Sequence, residues 1–204
     1  MSGYPKKIPV FPLSGIIYFP NTNLPLNIFE EKYLNLVNDA IRNDKLMGMI
    51  QTKNNEEVYK VGCLGKISDF RKSKDGRILI NLTGIIRFEI LKEAINSKLY
   101  REFEVTYDKF KSDLNTTDEL VKYESVMEKA KLFFKKTGLL LNWKELERLS
   151  ERQKIDTLAM IAPITNEEKQ KLLESISLNE KIKTLDSIIK FYMYDINFDN
   201  QTLQ

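Results

Sequence analysis

The sequence predicts an α+β fold in which a small β-barrel with one inserted helix precedes a bundle of helices. Apolar residues alternate with a period of two through much of the chain up to about residue 107, which is typical of half-buried strands. After about residue 116 the apolar residues recur with helical spacing. Because strands and helices occupy separate halves of the chain, the pattern favours α+β rather than an alternating α/β fold.

The longest alternating stretch, from Arg77 to Leu91, is the predicted centre of the β-rich half. Ile78, Ile80 and Leu82 lie on one parity, and the alternation continues past Gly84. The thirteen residues from Ile78 to Ile90 would span roughly 40 Å as a continuous strand, about twice the usual strand. We therefore expect a bend or bulge at Gly84, which is the feature that allows a long strand to take part in a small barrel.

The other N-terminal elements follow from local patterns. Prolines punctuate two short β-type runs, so we expect these runs to be edge or entry segments. A helix is predicted where apolar residues recur every three or four positions behind two glutamates. The predicted elements, in order, are strands at Ile8–Leu13 and Ile16–Phe19, a helix at Glu30–Arg42, and strands at Leu46–Thr52, Tyr59–Phe70, Arg77–Leu91 and Phe103–Tyr107.

Capping residues divide the C-terminal half into helices. Thr117 or Asp118 is expected to cap a helix that ends at Gly138, and Asn142 a short one after it. Ser150 and Thr165 each begin a capping-box pattern, followed three residues later by Gln153 and Glu168. A last helix carries Ile182, Leu185, Ile188, Ile189 and Tyr192. We expect two subdomains, a barrel at 1–110 and a helical bundle at 111–204.

Composition argues against most catalytic classes. The chain contains no histidine, which is the usual general base and the commonest metal ligand, and its one cysteine is Cys63. The net charge of +3 is too small to indicate a polyanionic partner. No stretch approaches the roughly 20 apolar residues of a membrane span. We therefore expect a non-catalytic, cytoplasmic protein without cofactor, metal or membrane partner.

A set of short motifs resembles the substrate-binding N-terminal domain of the ATP-dependent Lon protease. The motifs are spread through the chain in family order, although Asn21 and Lys32 stand where the family more often has glycine and arginine. They are Pro9–Leu13, Phe19-Pro20, Leu24–Leu26, Ile28–Glu30 with Tyr33, Val61–Ile67, Asp75–Arg77, Gly84 with Arg87-Phe88, Asp156–Ala162 and Lys169–Glu174.

This resemblance implies a PUA-like β-barrel followed by a helical bundle. It also implies a role in contacting unfolded or tagged polypeptides. The hypothesis that follows is a stand-alone Lon-type domain that recognises such segments or serves as an adaptor to a separate ATP-dependent protease. Within the 204 residues no motif of an ATPase or protease domain is found, so Lon's catalytic residues have no counterparts here.

Two surfaces are candidates for binding. The first is an apolar groove, formed if several apolar barrel residues are exposed together: Tyr18, Phe29, Leu79 and Ile85. It would bind polypeptide segments by strand addition along an edge strand that contains proline, or by side-chain contacts in pockets. The alternative is RNA binding, since PUA-like barrels include RNA binders, through a basic cluster around one hairpin: Lys66, Arg71, Lys72, Lys74 and Arg77. Asp69 and Asp75 dilute that cluster, and a charged hairpin tip is more often simply a solvated one.

Overall fold

The computed structural model describes residues 3–53, 57–114 and 122–201, with side chains described as far as residue 194. The chain divides into two compact units, Met1–Thr116 and Thr117–Gln204. The predicted division after residue 110 falls inside a 3₁₀ segment, Asp108–Leu114. The side chain of Asp113 in that segment binds Arg87, which ties the segment to the first unit.

In the residues that the structure describes, the first unit contains six strands and one α-helix. That helix is the single interruption in the run of strands, as the sequence predicts. The elements are β1 Lys7–Leu13, β2 Asn23–Ile28, α1 Glu31–Arg42, β3 Leu46–Thr52, β4 Val58–Lys72, β5 Ile78–Ala94 and β6 Glu102–Thr106.

The six strands form one sheet with the order β2-β5-β4-β3-β1-β6. β1 and β3 are parallel, and the other neighbours are antiparallel. β5 also pairs with β6, the last strand in that order. β5 therefore has three partners, with β2 along its first half, β6 along its second half and β4 along most of its length.

The predicted break at Gly84 is confirmed by the register between β4 and β5. Leu64 pairs with Ile86 but Gly65 pairs with Gly84, so Ile85 is an extra residue in β5. The Gly84 N–H donates to the Thr22 carbonyl at 2.9 Å. A Cβ atom on Gly84 would lie 2.1 Å from the Phe19 carbonyl oxygen. Glycine is therefore required here because another backbone segment passes directly over the strand.

The expected strand at Ile16–Phe19 is wrong. These residues have no ladder partner and lead into a turn, in which the Thr22 hydroxyl donates to the Phe19 carbonyl at 2.6 Å. Ile17, Tyr18 and Phe19 are nevertheless buried. The apolar run thus reflects burial under the sheet rather than strand pairing, and the sequence pattern does not distinguish the two.

A buried ion pair joins β5 to the 3₁₀ segment. The Arg87 guanidinium donates to Asp113 through Nε at 2.9 Å and through Nη2 at 2.8 Å, and the Arg87 backbone N–H donates to the same carboxylate at 3.0 Å. The guanidinium also lies 4.4 Å from the centre of the Phe110 ring. Both side chains are almost wholly removed from solvent, so each charge depends on the other for compensation.

The second unit consists of helices. Asn142, Ser150 and Thr165 cap three of them as predicted, and both capping boxes are confirmed. The predicted caps Thr117 and Asp118 lie outside the described residues. The helices are α2 Glu124–Lys136, α3 Trp143–Glu147, α4 Glu151–Ile161, α5 Asn166–Glu174 and α6 Leu178–Gln201.

The core of the second unit is aromatic and aliphatic, and it includes a buried charge pair. Phe133 and Phe134 of α2 are buried, and the Lys181 ammonium of α6 binds the Asp156 carboxylate of α4 out of contact with solvent. Across the described ranges, no helix combines the length and the apolar character needed to cross a bilayer. The fold as a whole is mixed α+β, as predicted.

The close approach at Gly84 predicts a large effect of a single methyl group. We expect Gly84→Ala to lower the free energy of unfolding by about 3 kcal/mol, because the new Cβ displaces the backbone at Phe19. Gly3→Ala is the matched control, since a Cβ there meets no atom within 4 Å. Urea denaturation of both variants checks this, and equal stabilities would contradict the role assigned to Gly84.

The buried ion pair predicts a second effect on stability. Asp113→Asn keeps the side-chain shape but removes the negative charge that binds the buried Arg87 guanidinium, so we expect a loss of about 3–5 kcal/mol. Glu104→Gln makes the same chemical change in an exposed pair with Lys92 and is expected to cost under about 1 kcal/mol. Similar losses in the two variants, measured by denaturant unfolding, would show that burial of the pair is unimportant.

Candidate functional site

A cleft of about 930 Å³ in the first unit is the candidate functional site. It lies where the end of β1, the start of α1, the end of β3, the start of β4 and the adjoining ends of β5 and β6 meet. We call it the aromatic cleft. Its lining residues are Phe11, Pro12, Leu13, Ser14, Glu30, Lys32, Tyr33, Thr52, Glu57, Val58, Glu93 and Arg101.

Two aromatic rings give the cleft its apolar character. Phe11 and Tyr33 pack edge to face, with ring centroids 4.2 Å apart and an interplanar angle of 83°. Phe11 is held by β1, where it pairs with Met49 of β3, and Tyr33 lies in the first turn of α1. Phe11 is buried while Tyr33 is only half-buried. The Lys32 ammonium lies 4.6 Å from the centre of the Tyr33 ring, so only the part of the ring that this lysine leaves uncovered is available to a ligand.

Two ion pairs flank the rings. Arg101 donates to both carboxylate oxygens of Glu93 at 2.7 Å, and this contact lowers the pKa of Glu93. Glu30 and Lys32 approach to 3.3 Å. The contact of Lys32 with the Tyr33 side chain raises the pKa of the lysine, and Glu30 raises it further. Lys32 and Glu93 are therefore charged at neutral pH.

Glu57 is the remaining charged residue of the lining. It is exposed and forms no ion pair with any residue that the structure describes. The aromatic cleft thus combines an apolar surface with three carboxylates and two cations. Such a mixture suits noncovalent binding of a chain that carries both apolar and charged groups.

Among the described residues there is no group of three histidine, cysteine, aspartate or glutamate side chains placed to hold a metal ion. The side chains that line the aromatic cleft are aromatic, aliphatic, hydroxyl or charged. Their chemistry supports contact and charge recognition.

The predicted apolar residues do not all reach the surface. Tyr18 is wrong as an exposed position, because it is only 2% exposed and burial, followed by the nearby Cys63 thiol, raises the pKa of its hydroxyl. Its segment passes under the sheet rather than along the outside. Ile85 is half-buried at the bulge. Phe29 and Leu79 are exposed, at 63% and 47%.

Phe29 and Leu79 lie beside residues of the predicted basic cluster. Leu79 pairs with Arg71 across the β4–β5 ladder, so both side chains lie on one face of the sheet. The Arg77 guanidinium lies 6.0 Å from the centre of the Phe29 ring. We call these four residues the sheet patch. The apolar and basic sets that the sequence offered as alternatives thus meet on one surface.

All five residues of the basic cluster are exposed: Lys66, Arg71, Lys72, Lys74 and Arg77. Lys72 donates to the Asn38 side chain at 3.1 Å. Arg77 binds Asp75 at 3.1 Å, and the pKa of Asp75 is lowered by the Ser73 hydroxyl and by the contacts with Arg77. Part of the cluster is therefore engaged by neighbouring side chains, and RNA binding stays a prediction.

Sequence reasoning did not identify the aromatic cleft as a site. Phe11 and Tyr33 belong to motifs that carry the family resemblance, and that was the available signal. Glu93 and Arg101 carried no local signal, because they meet only through the pairing of β5 with β6. Glu57 stands in a short polar stretch of the kind that usually marks a solvated turn.

Comparison with curated proteins finds Lon proteases. The chain is 25% identical over 196 residues to the Lon protease of Dictyoglomus thermophilum, covering 88% of this chain and 24% of that protein. It is 23% identical over 202 residues to the Lon protease of Syntrophus aciditrophicus, covering 91% of this chain and 25% of that protein. The chain therefore spans about a quarter of the length of these relatives.

Solved structures show the same fold. The Lon N-terminal domain protein from Xanthomonas campestris matches with a TM-score of 0.66 at 22% identity, over 88% of this chain and 96% of that one. The N-terminal domain of the Mycobacterium avium complex Lon protease also gives a TM-score of 0.66, at 18% identity, over 91% of this chain and 98% of that one.

A family model settles which family is involved. The model of the substrate-binding domain of the ATP-dependent protease La (LON) matches residues 7–190. That range covers most of each unit of the structure and includes all of the motifs on which the resemblance was based. The chain therefore belongs to the LON substrate-binding domain family.

Proposed function

We propose that this chain recognises unfolded or tagged polypeptide segments without catalysing a reaction, and that the aromatic cleft is the binding site. One observation carries the proposal. The signature segments around Phe11 and Tyr33, separate in the sequence, line one open cleft in which their rings are in contact. Membership of a substrate-binding family of a protease supports polypeptide as the ligand class.

The size and chemistry of the cleft support this ligand class. A volume of about 930 Å³ lies at the upper end of the range for small-molecule sites, which leaves room for several side chains of an extended segment. The exposed part of Tyr33 offers an aromatic anchor, and aromatic residues carry a large share of binding energy at interfaces. The charged residues around the rings favour hydration of the cleft when no ligand is bound.

The β2 strand, which contains a proline, is a poorer site for polypeptide binding than the aromatic cleft, because it is badly suited to strand addition. β2 begins the sheet order and pairs with β5. Pro25, at the middle of β2, has no N–H to donate to an added strand. Binding through side-chain pockets is therefore favoured over strand addition at this edge.

The partner that we infer is a separate ATP-dependent protease, for which the chain acts as an adaptor. The matched relatives are Lon proteases of which this chain spans about a quarter. The finer fold assignment belongs to the same proposal. Because β5 pairs with β4 on one side and with β6 at the far end of the sheet order, we infer a closed PUA-like barrel, followed by a helical bundle.

The comparisons do not support the RNA-binding alternative. The matched family and the relatives named above are described by proteolysis and substrate binding. The two functions differ in their dependence on salt, since RNA binding through phosphate contacts weakens steeply as salt rises. Fluorescence anisotropy with a labelled unstructured apolar polypeptide and a labelled single-stranded RNA, each at two salt concentrations, separates them.

We expect Tyr33→Ala to weaken binding of the apolar polypeptide about 10- to 30-fold, because it removes the aromatic anchor of the cleft. Leu79→Ser, in the sheet patch, is expected to change the affinity less than about twofold. Tyr194→Ala removes an exposed tyrosine of the second unit and serves as the matched control. Anisotropy titration of the three variants measures these changes, with unfolding free energies determined alongside.

A large loss of affinity in Leu79→Ser together with normal binding by a stably folded Tyr33→Ala would place the site on the sheet patch instead. RNA binding that collapses with salt, combined with no polypeptide binding, would overturn the proposed function.

A further inference from the structure

We propose that the aromatic cleft selects polypeptide segments in which a lysine or arginine lies next to an aromatic residue. This inference rests on the proposed function and adds the charge of the preferred substrate. It depends on the balance of charges around the rings and on which of those charges already have partners.

Four of the five charged side chains in the lining neutralise one another. Glu93 and Arg101 form a two-pronged pair with both distances at 2.7 Å. Glu30 and Lys32 form a looser pair at 3.3 Å. Because each pair joins one positive and one negative group, the two pairs contribute little net potential to the cleft.

Glu57 supplies the uncompensated charge. It is exposed, lines the same cleft as Tyr33, and has no cationic partner in the described part of the chain. The lining therefore carries three carboxylates against two cations. The Lys32 ammonium already lies 4.6 Å from the centre of the Tyr33 ring, so the cation of the ligand belongs at the Glu57 carboxylate and its apolar group against the exposed part of the ring.

The aromatic cleft disfavours polypeptide segments that carry carboxylates. The cations that could receive those carboxylates, Lys32 and Arg101, are held by Glu30 and Glu93. A ligand carboxylate would have to displace one of these partners and would also approach Glu57. The cleft thus disfavours acidic segments by repulsion as well as by the absence of a free cation in its lining.

Three labelled, unstructured peptides test the inference. They share one sequence of glycine, serine and a central phenylalanine, and differ only in whether lysine, glutamine or glutamate stands beside the phenylalanine. We expect the lysine peptide to bind about tenfold more tightly than the glutamate peptide at low salt, with the glutamine peptide between them. The ratio is expected to shrink at 0.5 M salt, where the Debye length falls to a few Å.

Glu57→Gln is the decisive variant, because it removes the charge with almost no change of shape. We expect it to bring the lysine-to-glutamate ratio close to one while binding of the glutamine peptide stays the same, because the two remaining ion pairs contribute little net potential. Glu145→Gln makes the same change at an exposed residue of the second unit and is expected to leave the ratio unaltered.

The outcomes separate this inference from the proposed function. Equal affinities for the three peptides, or a ratio that Glu57→Gln leaves unchanged, would overturn the charge preference while polypeptide binding stands. Failure of all three peptides and of the longer apolar polypeptide to bind would overturn both.

Discussion

The fold of the first unit depends on β5, the strand that pairs with three others. β5 is unusually long for a single straight strand. The extra residue at Ile85 shifts its register with β4 beside Gly84, so the strand is interrupted by a bulge. The missing side chain at Gly84 then lets the backbone between Phe19 and Thr22 lie directly on the strand. One position thus sets the bend of the sheet and the path of the chain that enters β2.

The aromatic cleft is a consequence of this arrangement. β1 lies between β3 and β6, which brings Phe11 to the end of the sheet where α1 begins. The second half of β5 pairs with β6, which brings Glu93 and Arg101 to the same place. The buried pair of Arg87 and Asp113 fixes the 3₁₀ segment after β6 to the middle of β5. The site is therefore built from ends of elements that a continuous sheet holds in register.

Local chemistry made much of the fold predictable, and long-range pairing accounts for what was missed. The glycine at position 84 and the caps at Ser150 and Thr165 act within a few residues, so sequence patterns located them. Tyr18 was expected at the surface, and the apolar run around it could not correct this. Such a run indicates that some of its residues are buried, but not which of them remain exposed. The contact of Glu93 with Arg101 depends on strand register, which no local pattern specifies. Residues of the family motifs line the aromatic cleft, but the motifs alone do not indicate that these residues come together to form a site.

The most direct test of the account is to locate a bound polypeptide on the protein. Two-dimensional NMR of the isotopically labelled chain, titrated with an unlabelled unstructured apolar polypeptide, reports the position of contact residue by residue. The account predicts shift changes concentrated at Phe11–Ser14, Lys32, Tyr33, Glu57 and Arg101, around the aromatic cleft. Changes confined to the face of β2, β5 and β4 that carries Leu79, or to the helical second unit, would contradict it.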